Sequence, residues 1–166
     1  MRKFLIIIFL VLSLSLFAVD FSLGVGGGVS GTMHNGSPWV APGPNISLEF
    51  DIHKGFGIGG TADFSFKGSN DNLFLTYGDI FYKVPVGPIE KNFYTKIALS
   101  GGGIIDNTID KNDTRHLVFG WGIDAVGKLT DNINLKGFFR AFRVENCMST
   151  ALFQNLVAGV QFEFSF

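Results

Sequence analysis

From residue 19 onward, apolar and polar residues alternate with a period of two, and no stretch repeats apolar residues at helical spacing. Successive side chains of a strand point to opposite faces, so this pattern predicts strands with one greasy and one polar face. The first segment sets Phe21, Leu23, Val25, Gly27 and Val29 against Ser22, Gly24, Gly26, Gly28 and Ser30. The second sets Ile46, Leu48, Phe50 and Ile52 against Asn45, Ser47, Glu49, Asp51 and His53. The same alternation recurs over 56–67, 93–100, 117–129, 133–142 and 155–166. A further segment near 72–85 has polar residues in both phases, with Thr76 and Gly78 followed by Asp79 and Lys83. A bulge is expected there, with Asp79 and Lys83 facing the polar side.

Eight strands follow from this count, and their connections alternate in length. Short turns are predicted at His53-Lys54-Gly55, Val86 to Lys91 and Thr130-Asp131-Asn132. Longer polar loops are predicted at Gly31 to Pro44 and Ile104 to Arg115, with smaller ones at Gly68 to Asp71 and Glu145 to Thr150. An even strand number with short turns at one end and longer loops at the other is the layout of an antiparallel transmembrane up-and-down β-barrel.

Charge decides which face is wet. Six acids (Glu49, Asp51, Asp63, Asp79, Asp124, Glu163) and six bases (Lys67, Lys83, Lys96, Lys128, Lys136, Arg140) fall in the polar phase, and none falls mid-strand in the apolar phase. A Lys or Arg facing lipid at mid-depth costs about 2–4 kcal/mol, which accounts for the empty column. The twelve charges are therefore assigned to the lumen, as a structural network. Eight strands enclose a space that side chains can fill, so acids facing bases predict a closed polar plug rather than a pore. A soluble exported ligand-binding barrel would turn the apolar phase inward, crowding about a dozen Phe and Trp rings into that small space.

The first 18 residues read as an address. Arg2 and Lys3 precede an apolar run from Phe4 to Phe17, and a cut after Ala18 fits a secretory signal peptide. The apolar run falls short of the ~20 residues a spanning helix needs. Residues 19–166 then form one barrel domain. With 16% charged residues and 19 Phe among 166, disorder is excluded. A formal net charge of −1 gives no footprint for nucleic acid. The single cysteine, Cys147, excludes an internal disulfide and a Cys-based zinc site.

The chain is poor in candidate chemistry. His34 with Ser37, and His116 with Asp113, lie in predicted loop regions and would be the raw material of a lipid-modifying site, without a recognisable catalytic spacing. The acidic stretch Asp106 to Asp113 lacks the Gly and terminal Glu of a calcium-binding EF-hand loop. The glycine run at 24–28 precedes no helix, so it is no phosphate cradle. No catalytic residue, metal ligand or cofactor is assigned. Trp39, among Pro38, Pro42 and Pro44, is the candidate recognition contact of the longest loop.

The C-terminus carries a resemblance. Phe162, Phe164 and Phe166 occupy the fifth-last, third-last and last positions. This resembles the C-terminal signature strand of bacterial outer-membrane β-barrels, and the whole pattern over 19–166 is similar to the small OmpA/OmpX-type barrels. The resemblance implies an outer-membrane location with termini in the periplasm and long loops outside. It also implies recognition of the last strand by the barrel-assembly machinery, and a surround of bilayer and lipopolysaccharide-type lipids. The expected role is structural, or interaction and adhesion through loops 31–44 and 104–115. A lipid-modifying enzyme, a small channel and a soluble exported barrel are the competing classes.

Overall fold

The computed structural model describes residues 20–34, 37–66, 72–86, 92–106, 115–145 and 153–166. They form eight strands: β1 (Asp20–His34), β2 (Ser37–His53), β3 (Phe56–Phe66), β4 (Asn72–Pro85), β5 (Phe93–Asp106), β6 (Arg115–Lys128), β7 (Ile133–Val144) and β8 (Asn155–Ser165). Each pairs antiparallel with its sequence neighbours, and β8 closes on β1. The fold is an all-β, eight-stranded antiparallel closed barrel, as the alternation predicts.

Register fixes the barrel's shape. A row of paired residues starting at Ser22 runs through Glu49, Gly59, Asp79, Ser100, Gly120, Phe142 and Asn155 and returns to β1 at Thr32. One circuit therefore climbs ten residues, from 22 to 32. With ~3.3 Å per residue and ~4.8 Å between strands, that stagger tilts the strands by roughly 40°.

The apolar phase faces outward. Val25, Ile46, Leu48, Ile58, Ile80, Leu99, Phe119, Trp121, Ile123 and Phe162 are all exposed on the barrel wall. So many large exposed apolar side chains in one band mark a surface whose solvent is hydrocarbon. Phe21, Phe50 and Phe166 stack at the end of the barrel where the chain's described part begins and ends.

The short turns form as predicted at two sites. Lys54 and Gly55 both adopt positive φ, the signature of a tight hairpin whose twist matches its strands. Leu129 N–H donates to the Ile133 carbonyl at 2.9 Å to close the turn between β6 and β7.

Four expectations change. The loop drawn at 31–44 is strand over 31–34 and 37–44, with β1 and β2 paired out to His34 and Ser37; of the loop drawn at 104–115, the described residues 104–106 and 115 are strand, with β5 and β6 paired out to Ile105 and Arg115. The ladder needs only backbone groups, so it continues where the side-chain alternation has faded. The bulge expected in the fourth strand is absent there, since β4 pairs without a register break on both sides. The irregularity lies instead in β2, between Asp51 and His53. The mixed phase of β4 arises because Thr76 and Gly78 face outward while Leu73, Leu75, Tyr77, Asp79 and Phe81 are buried inside.

The fourth change concerns the lumen, which is not polar throughout. Leu73, Leu75, Tyr77, Ile104, Val118, Phe138, Phe142, Val144 and Val157 form one buried apolar cluster inside the barrel. It lies toward the end carrying the long connections. The charges occupy the middle and the short-turn end.

Candidate functional site: the charged lumen

Inward-facing side chains of four strands build the larger network. Glu49 on β2 and Glu163 on β8 sit between Lys96 on β5 and Lys136 on β7. Lys136 Nζ lies 2.6 Å from Glu49 Oε1, and Lys96 is ion-paired to the other Glu49 oxygen and 3.3 Å from Glu163 Oε2. All four side chains are buried. Neutral groups extend the network: Ser47 Oγ donates to Gln161 Oε1 at 3.0 Å, and Gln161 Nε2 donates to Asn45 Oδ1 at 2.8 Å.

A second network centres on Arg140 of β7. Its guanidinium donates to Asp79 Oδ2 on β4 at 2.8 Å through Nη2, and through both terminal nitrogens to Asp124 on β6. Ser100 on β5 donates to the remaining Asp79 oxygen. The fork of an arginine can serve two carboxylates at once, whereas a lysine offers a point charge. Breaking such a buried pair by removing one partner costs about 3–5 kcal/mol, because the other charge is left uncompensated.

At the short-turn rim, Lys83 pairs with Asp51 and its ammonium lies 4.9 Å from the centre of the Tyr94 ring. Lys128, assigned to the lumen from its phase, is exposed at the end of β6 and pairs with Asp131 in the turn at 2.8 Å. Its position is the last of the strand, so its inward phase has no lumen left to enter. That hydrogen bond and charge hold the Asp131 carboxyl below its ordinary range.

The expected balance of charges is not met among the described residues. Five buried carboxylates (Glu49, Asp63, Asp79, Asp124, Glu163) face three buried cations (Lys96, Lys136, Arg140). Asp63 on β3 forms no ion pair among the described residues; Tyr77 and Asn45 stand beside its carboxyl, and Oδ2 accepts no hydrogen bond. Lys67 lies outside the described residues. Trp39 belongs to β2, paired with Thr32, and not to a loop.

Sequence reading assigned the network to charges alone. Asn45, Ser47, Ser100 and Gln161, which the alternation puts in the same inward phase, are its neutral members. Sequence reading also missed the apolar cluster, because Phe138 and Phe142 interrupt an otherwise polar column.

In the described lumen, serine hydroxyls also contact charged groups: Ser100 Oγ donates to Asp79, and Lys136 Nζ donates to Ser47 Oγ at 3.4 Å. His116 lies on β6, and its Nε2 is buried with no hydrogen-bond partner. Among the described residues no cluster of three or more His, Cys, Asp or Glu is placed to hold a metal ion.

No protein-family model matches the chain, and no curated protein matches it in sequence. Solved structures do share its fold. Neisserial surface protein A aligns over 88% of this chain and 97% of its own, with a TM-score of 0.60 and 14% identity. The attachment invasion locus protein Ail of Yersinia pestis aligns over 89% and 98%, at 0.54 and 10% identity. The outer membrane protein OprG of Pseudomonas aeruginosa aligns over 90% and 96%, also at 0.54 and 10%. The fold is thus that of small outer-membrane barrels, in which the chain's full barrel is matched.

Proposed function

We propose that this chain is a non-enzymatic outer-membrane barrel whose lumen is closed to ions and whose wall anchors surface-exposed connections. The observation that carries the reading is Arg140 bridging Asp79 and Asp124 across the lumen, with the Lys96/Lys136 network below it and the apolar cluster above it. An ion crossing this interior would have to break desolvated pairs and then enter an apolar plug, which no single-sign ring of charges offsets.

In this reading the termini face the periplasm, Phe162, Phe164 and Phe166 form the strand recognised during assembly, and lipopolysaccharide-type lipids surround the outer half. The β1–β2 hairpin, including Trp39, and the segment joining β5 to β6 meet the exterior. Ail has been solved with the heparin analogue sucrose octasulfate. This chain's corresponding connections (31–44, 67–71, 106–115 and 143–152) hold five acids, Asp71, Asp106, Asp110, Asp113 and Glu145, against four bases, Lys67, Lys111, Arg115 and Arg143. That balance does not complement a polyanion, so the surface partner is read as uncharged or mixed in charge.

Planar-bilayer recording of purified, detergent-folded protein tests the closed lumen. No steady conductance above background is expected, and stable unitary openings would replace the anchor with a channel.

A further inference from the structure

Two opposite charges stand on the outer, apolar side of the wall. Arg143 on β7 shares the outward phase of Leu135 and Phe139, whereas its neighbours Phe142 and Val144 are buried inside. Glu145, one residue past the strand's end, continues that phase, and its N–H still donates to the Leu117 carbonyl at 2.8 Å. Both residues are exposed. Neither forms an ion pair with the other or with any described residue. Their depth is set by the strand. Arg143 lies ten residues along β7 from Ile133, which adjoins the short turn. At ~3.3 Å per residue and a tilt of roughly 40°, that is about 25 Å, the height of an apolar band. Arg143 therefore marks the band's far margin, and Glu145 stands about 5 Å beyond it.

Beneath Arg143 on the outer face, Ala141 is buried and its row partner Leu156 is half-buried. The next row down, Phe139 and Ala158, opens an apolar groove of about 700 Å³ that continues over Ile123, Gly137, Val160 and Val29. Nothing lies within 4 Å of a Cβ on Gly137, so the groove is open there. Six residues of β7 separate Arg143 from Gly137. That is about 15 Å of depth, one leaflet's share of a ~30 Å hydrocarbon core. An acyl chain whose headgroup is held at Arg143 thus ends beside Gly137.

The order of the two charges selects a headgroup. A guanidinium donates paired hydrogen bonds to a phosphate, and a carboxylate accepts from a primary ammonium. In an ethanolamine phospholipid the phosphate lies next to the glycerol and the ammonium lies further out, the order in which Arg143 and Glu145 stand. A headgroup with phosphate and no ammonium meets the Glu145 charge uncompensated, and a trimethylammonium has no N–H to donate. We propose that the outer face of β7 and β8 seats a diacyl ethanolamine phospholipid, with its phosphate on Arg143, its ammonium on Glu145 and one acyl chain in the groove. The seat rests on the membrane-spanning reading, and no covalent bond changes.

The test places the full-length Trp39→Phe variant in dioleoyl phosphatidylcholine vesicles. Its remaining indole, Trp121, pairs with Ala141 and meets the Phe139 ring at 6.1 Å, so it reports on lipid at this face. Phosphatidylethanolamine, phosphatidylglycerol and phosphatidylcholine with brominated chains are titrated in turn, and quenching of Trp121 fluorescence is read. Phosphatidylethanolamine is expected to reach half-quenching at a roughly tenfold lower mole fraction than either other lipid. The swap Arg143→Glu/Glu145→Arg keeps the net charge, reverses the order, and should bring the three lipids level. Equal quenching by all three before the swap would overturn the seat, as would phosphatidylglycerol matching phosphatidylethanolamine. A preference that survives the swap would overturn Arg143 and Glu145 as its cause. Absence of quenching by every brominated lipid would strike the membrane-spanning reading itself, because Trp121 would then face no hydrocarbon.

Discussion

Arg140 on β7 donates to Asp79 on β4 across the lumen at 2.8 Å, joining strands that share no backbone hydrogen bond. Asp124, on the neighbouring β6, holds the same guanidinium from the side. The pair thus ties the two halves of the wall through the middle. The Arg140→Met variant leaves two buried carboxylates without a counter-charge, and the expected loss is about 3–5 kcal/mol. Urea unfolding in a fixed detergent reads it. Arg140→Lys should recover only part, because one ammonium cannot fork to both acids.

Asp63 predicts the opposite sign. It is the buried carboxylate with no ion pair among the described residues, so removing its charge removes a liability. Asp63→Asn is expected to raise stability by about 1 kcal/mol or leave it unchanged. Asp79→Asn should lower it. Parallel denaturation of the two variants checks the contrast, and equal losses would show that Asp63 has an ion-pair partner in the folded barrel.

The wall's polarity is tested from outside. Ile123 is exposed in the apolar band of β6 and flanked by Ile97 and Phe139 in its row. Ile123→Arg in lipid vesicles should cost about 2–4 kcal/mol if the surround is hydrocarbon, and close to nothing if it is water. Comparing unfolding midpoints in vesicles of one composition gives the number.

Two glycines separate close packing from open wall. A Cβ on Gly26 would fall 2.0 Å from the Val160 carbonyl oxygen, so Gly26→Ala must move the β1–β8 seam. Nothing lies within 4 Å of a Cβ on Gly137. Gly137→Ala is expected to stabilise by about 0.5 kcal/mol through reduced unfolded-chain freedom, and Gly26→Ala to destabilise by more than that. Thermal shift on the pair suffices.

How much of this was legible in the sequence follows from what period-two patterning encodes. It reports which side of a strand is greasy, so β1, β2, β3 and β6 could be placed from Leu23, Leu48, Ile58 and Ile123 and their polar neighbours. It is blind where both faces are apolar: Leu73 and Leu75 point inward while Phe74 points outward, and only the register with β3 and β5 sorts them. Backbone pairing beyond the belt is equally silent, which is why the hairpin at His34 and Ser37 read as loop. Lys128 read as lumen because phase carries no information about depth. Asp79, the partner of Arg140 across the lumen, lies on a non-adjacent strand, a relation set by the ten-residue stagger and by no local signal.

The gel mobility in SDS of detergent-folded protein, unboiled against boiled, tests the central claim most directly. A barrel closed between β1 and β8 offers no free edge to unzip, so the unboiled protein should run as a faster, folded band and shift on heating. Identical mobility in both lanes, together with protein that folds and stays soluble without detergent, would contradict a membrane-spanning barrel.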